Sequence, residues 1–162
     1  QGSVNQPETP GNSTGSIPPE TSQPQEKPAA PESNHILTEE ASLMARLVNE
    51  ERVKKGLKPL TIHPGLAELA KLKSIDMLEN NYFSHTSPIY GSFANMVYDY
   101  GIGFRSVGEN IAQGRNGSHA HILFMASPGH RDNILNINFT HMGIAVVQGP
   151  YGVYVTQLFI AQ

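Results

Sequence analysis

The chain is 162 residues long, carries 11 basic and 14 acidic side chains for a net charge of −3, and has no cysteine. That length suits one ordinary domain, or one domain with a tail, and the missing cysteine excludes disulfides, thiolate catalysis and cysteine metal sites. Beyond residue 34 the basic and acidic groups balance, so there is no basic stripe for nucleic acid or an anionic membrane, and no run reaches the roughly eighteen apolar residues of a bilayer span.

Residues 1–34, "QGSVNQPETPGNSTGSIPPETSQPQEKPAAPESN", hold seven of the twelve prolines and no aromatic residue. Such a segment buries too little apolar surface to offset the entropy of ordering it, so it reads as a disordered, semi-extended tether. A start on glutamine, with neither initiator methionine nor hydrophobic leader, fits a mature or trimmed piece of an exported protein. Residues 35–162 are then the globular domain.

Thr38 is read as a helix N-cap, with Glu39 and Glu40 at the positive end of the dipole. The helix "ASLMARLVNEERVKK" ends at Gly56, a left-handed C′ residue. A second helix starts at Pro64 and stops at Asn80-Asn81. "YGSFANMVYDYG" predicts a shorter third helix closed by Gly101, and "SHAHILFMA" a fourth with Ser118 as cap. "SPGHRDNIL" begins a fifth, with Ser127 as cap and Pro128 at its first position. "SVGENIAQG" reads as a strand or an exposed turn. "MGIAVVQ" and "YGVYVTQLFIA", rich in β-branched and aromatic residues and separated by "GPYG", predict an antiparallel hairpin. Helices first and a hairpin last imply an α+β fold with helices packed on an antiparallel sheet. "GIGFRSVG" fails the dinucleotide-loop spacing, because Ser106 stands where the third glycine belongs.

Ser127, His130 and Asp132 are the residue types of a hydrolytic triad, but their crowding argues against one. Asp132 points away from His130 on a helix, and a capping serine spends its oxygen on helix N–H groups. Of the seven histidines, His35 and His63 read as surface or cap residues, and His141 opens a strand. His119 and His121 share a face only in an extended segment. His85 and His130 differ, each lying in a turn of small polar residues, with Glu109 in "VGEN" between them. Two imidazoles and a carboxylate from separate loops match an open zinc site with a water in the fourth position. Tyr82, Phe83, Phe124 and Phe139 are expected in the core; the side taken by Gln157 is open.

"LVNEERVKKGLKPL", "NYFSHTSP", "VGENIAQG", "SPGHRDNIL", "FTHMGIAVV" and "YVTQLF" follow one another along the globular part. In that order they resemble the bacterial branch of the CAP superfamily, which groups cysteine-rich secretory proteins, venom allergens and plant pathogenesis-related proteins. The resemblance implies a three-layer α–β–α sandwich with a central antiparallel sheet, and secretion or display at the cell surface. It also implies a cleft lined by two histidines and two acidic residues, which in some members binds zinc or another divalent ion. By motif, His85, Glu109 and His130 take three of those positions. The fourth, a glutamate on the helix before the second histidine in eukaryotic relatives, is missing, since Asn110 to Arg131 contains no acidic residue; Phe124 replaces the usual tryptophan. Asn110 and Arg131 either line the cleft or brace a loop, and Ser127 is expected at its wall.

Three functions follow as expectations. One is a secreted or surface binding module, monomeric, whose cleft takes a metal, lipid, glycan or protein ligand. A zinc-dependent, peptidase-like hydrolase using His85, His130 and Glu109 is the second. The third is a structural surface component whose polar groups only bond across a groove.

Overall fold

Residues 36–162 are described by a computed structural model; the tether read over residues 1–34, and His35, lie outside the described residues. Leu37 precedes α1 (Thr38–Lys54) and donates its N–H to Val146 O at 2.8 Å. Thr38 is therefore the first helical residue and not the cap expected of it, because Leu37 is tied to the sheet. Gly56, at φ +72°, ends the helix as read. β1 (Thr61–Ile62) leads to α2 (Pro64–Glu79), whose Pro64 stands at the first position. There His63 is a cap in earnest, its Nδ1 accepting from Gly65 N at 3.0 Å and Leu66 N at 3.3 Å.

Asn80 and Asn81 stop α2, Asn81 at φ +50°. A small hairpin of β2 (Thr86–Ser87) and β3 (Gly91–Ser92) follows, then α3 (Phe93–Asp99), closed by Gly101 at φ +85°. "SVGENIAQG" is the strand β4 (Ser106–Gly114). α4 (Gly117–Ala126) is capped by Asn116, whose Oδ1 accepts from His119 N at 2.8 Å. The expected cap, Ser118, already lies inside the helix. α5 (Pro128–Ile134) begins at Pro128 with Ser127 in the cap position, but the Ser127 side chain makes no cap bond. β5 (His141–Gly149) and β6 (Gly152–Ala161) form the predicted hairpin, joined by Pro150-Tyr151.

The main sheet has the order β1-β5-β6-β4; β1 is parallel to β5 and the longer pairs are antiparallel. Alternation along β5 and β6 divides the core in two. Met142, Ile144, Val146, Val153, Val155 and Phe159 pack with Met44 and Val48 of α1, Phe124 of α4 and Ile134 of α5. Ala145, Leu158 and Ile160 face Leu66, Leu69 and Ala70 of α2 and Met96 and Val97 of α3. The sandwich is thus helix, sheet, helix. Phe124 and Phe139 are buried, as expected, but Tyr82 is half-buried and Phe83 is 50% exposed. The left-handed turn at Asn81 carries that pair out of the core.

Candidate functional site: a histidine–glutamate pair at the edge of the sheet

His85 sits in a loop held from below by α2. Asp76 of α2 accepts from Asn80 Nδ2 and from Ser87 Oγ, both at 2.6 Å, and from the Tyr82 hydroxyl. Ser87 Oγ in turn accepts from Ile89 N at 3.0 Å and Tyr90 N at 2.9 Å. Lys73, one turn before Asp76 and fully buried, donates from Nζ to His85 O at 3.2 Å, its ammonium 5.2 Å from the centre of the Tyr82 ring. The backbone of His85 is thereby fixed while its side chain stays half exposed, with the Phe93 ring edge-on at 6.1 Å.

Glu109 comes from β4, the edge strand with a neighbour only on its β6 side. Its carboxylate is buried; Oε1 lies 2.9 Å from His85 Nδ1, and Oε2 has no partner. Burial pushes the Glu109 carboxyl up, opposed by the His85 hydrogen bond and by the charges of Lys73 and His85. A carboxylate at Nδ1 keeps a proton on that nitrogen and fixes the orientation of the ring.

His130 is carried by α5, its ring 5.1 Å from that of Phe124. Its Nδ1 is buried without a partner. Burial, then the nearby charge of His85, holds the imidazole below its ordinary value, so it is neutral at pH 7. Arg52 of α1, itself buried, anchors the end of α5, its Nη1 donating to Ile134 O at 2.9 Å and Asn136 O at 2.8 Å.

The three expected ligands thus lie in one region, though they do not form one coordination sphere. His85 and Glu109 are bonded, and His130 is close enough for the charge of His85 to act on it. Among the described residues, however, no three His, Asp or Glu groups are placed to hold a metal ion. The donor set does not fit a divalent centre as it stands. Asn110 is fully buried and braces α5 against β4 and β6, its Nδ2 donating to His130 O and to Gln157 Oε1, each at 3.1 Å. That also settles Gln157, which is buried on the α1–α4–α5 face. Arg131 is half-buried and reaches Met125 O at 3.5 Å, a brace on the end of α4. Ser127 is half-buried without a bond to His130, and Asp132 is exposed, so no triad forms. His119 accepts from Arg115 N through Nδ1, and His121 is buried; they form no pair.

Sequence reasoning missed Lys73, Asp76 and Asn133. A signal for the first two was present: charged residues inside the apolar period of α2 are buried only when partnered. Asn133, one turn after His130, offered none beyond its spacing.

Residues 45–159 match the cysteine-rich secretory protein family, CAP. The chain is 46% identical over 120 residues to YkwD of Bacillus subtilis, a protein described as uncharacterized, covering 74% of this chain and 46% of that one. A crystal structure of an extracellular protein containing an SCP domain from Bacillus anthracis is similar at a TM-score of 0.71 and 35% identity, over 77% of this chain and 41% of that one. An outer surface protein of Borrelia burgdorferi, at 22% identity, shares the fold alone, with a TM-score of 0.72 over 79% of this chain and 98% of its own. The chain spans less than half the length of the two Bacillus proteins. The sandwich, the ordered motifs and this match agree: the chain belongs to the cysteine-rich secretory protein (CAP) family.

Proposed function

We propose that the domain is a binding module acting outside the cell or at its surface, with the cleft around His85, Glu109 and His130 as its recognition site. One observation carries this reading: a buried Glu109 carboxylate that spends one oxygen on His85 and leaves the other without a partner, next to a neutral His130 whose Nδ1 is also free. Buried polar atoms are ordinarily paired, so an unpaired acceptor and an unpaired ring nitrogen at one edge of the sheet mark where hydrogen-bonding groups of a ligand are received. Phe83 and Ile89, each at least half exposed in the loop that carries His85, offer apolar surface nearby in the chain, and the Phe93 ring stands edge-on to His85 at 6.1 Å. The cleft suits a ligand with polar groups along one side and apolar surface along the other, which a lipid headgroup region, a glycan or a peptide can supply. The location outside the cell is supported by the extracellular description of the Bacillus anthracis relative, and no helix of the described residues is long and apolar enough to cross a membrane.

Turnover has less support. Among the described residues no serine or threonine hydroxyl is bonded to His85 or His130, so neither imidazole has a nucleophile to activate. The zinc-dependent hydrolase needs His130 recruited to the His85–Glu109 pair, a rearrangement that nothing in the geometry favours.

Zinc chloride, soluble cell-wall glycan fragments and anionic lipid micelles, each titrated into the protein and followed on the ring resonances of His85 and His130, test the reading. The expected result is saturable shifts of both rings with an organic probe, reduced at least tenfold in affinity by Glu109→Gln, and no cleavage of peptides or esters. Zinc-dependent peptide cleavage lost in Glu109→Gln would overturn it in favour of the hydrolase.

A further inference from the structure

The triplet Gly108-Glu109-Asn110 and Asn133 of α5 make a single interlock. Asn133 Nδ2 donates to Glu109 O at 3.2 Å and to Asn110 Oδ1 at 2.9 Å. Asn110 Nδ2 donates back to His130 O at 3.1 Å and onward to Gln157 Oε1. Two backbone carbonyls, of Glu109 and His130, thus fix the orientation of both amides, because only an NH2 group can face them. Gly108 makes the approach possible: a Cβ there would lie 3.0 Å from Asn133 Oδ1 and 2.9 Å from the Phe139 ring.

We propose that Asn133 is a positioning residue, whose amide sets the placement of His130 against Glu109. α5 has seven residues and no side-chain cap, too short to be stable or oriented by its own propensity. Its restraints are therefore tertiary. Arg52 holds the C-terminal end, away from the His130 ring. Among the described residues, the amides of Asn110 and Asn133 make the side-chain hydrogen bonds that join α5 to the sheet. Asn133 lies one turn after His130 on the same helical face. It binds the backbone of the very residue whose carboxylate pairs with His85, so it couples the two halves of the cleft. The "GEN" triplet then has one account: glycine for clearance, glutamate for the cleft, asparagine for docking the helix that brings His130.

This inference builds on the reading of the cleft as the binding site, but its test needs no ligand, so the two can fail separately. In the full chain, Asn133→Asp keeps the shape and sets a carboxylate against two acceptors; Asn133→Ala removes the bonds without adding charge. The His130 ring protons, now beside Phe124, should lose their ring-current shift in both variants. Amide exchange across residues 130–134 should accelerate at least about tenfold relative to β5 and β6, the lower end of the net worth of the two hydrogen bonds lost. Asp132→Ala, at the exposed neighbour, should leave both readouts unchanged. If the aspartate variant fails to fold, the alanine variant decides. A folded Asn133→Ala protein with His130 shifts and exchange like the parent overturns the proposal, as does acceleration spread evenly over the whole sheet.

Discussion

Lys73 shows how a single buried charge organises the surroundings of His85 and Glu109. It lies beneath both the loop of His85 and the carboxylate of Glu109, donating to the first and offsetting the charge of the second. Burial pulls its own ammonium below the ordinary lysine value, opposed by Glu109 and then Asp76. Removing one member of such a set leaves the others buried and uncompensated. Lys73→Met is therefore expected to cost about 2–4 kcal/mol in urea unfolding at pH 7, although methionine fills nearly the same space and is more hydrophobic. Unchanged stability would show that packing alone matters there. Glu109 and His85 were legible from the sequence as chemistry-bearing residues in separate motifs; that Glu109 is buried and bonded to Nδ1 was not, because burial depends on what covers a strand edge.

At the scale of elements, α2 packs so closely on the sheet that its backbone touches β5. A Cβ at Gly143 would collide with the backbone of Leu66 and Ala67, so this glycine is required by proximity and not by its torsion angles. Gly143→Ala should destabilise the domain by about 3 kcal/mol, read as a lowered urea midpoint with an unchanged slope. Loss of cooperativity without a midpoint shift would contradict that account. Helix and strand periods were readable wherever a strong local signal existed: Pro64 and Gly101 bound their helices as expected, and the β5–β6 hairpin lies where its residues place it. The caps of α1 and α4 were misplaced because nearby polar residues, Thr38 and Ser118, are equally good candidates in one dimension. Leu37 is instead fixed by its bond to Val146, and Asn116 by its bond to His119.

At the scale of the molecule, a buried imidazole, His121, and a half-buried one, His130, make folding sensitive to acid. Burial holds His121 below its ordinary value, partly offset by Glu51 and then Glu50, and burial together with His85 does the same for His130. The unfolded chain then binds protons at these sites more readily than the folded one. Their contribution is present above the unfolded value of about 6.5 and is lost as pH falls below it. Glu109 works in the opposite sense, its raised value favouring the folded state on the acid side. With two histidines against one carboxyl, the urea midpoint should fall between pH 7 and pH 5.5. It should fall less in His121→Asn. A midpoint that holds or rises over that range would count against the lowered proton affinity of these imidazoles.

The sequence by itself determined the class of fold, the order of elements and the family, since each rests on local period, turn chemistry or motif order; it singled out His85, Glu109 and His130 as chemistry-bearing residues in separate motifs. Only the tertiary structure decided that Asn110 braces the helix of His130 against the sheet, that Lys73 and Asp76 hold the His85 loop, and that Asn133 bonds that helix to β4. It also decided that the three cleft residues form a bonded pair with a neighbour. The reason is distance along the chain. His85, Glu109 and His130 come from three separate elements, and their spacing is set by a short helix and a strand edge held together by side chains far apart in sequence.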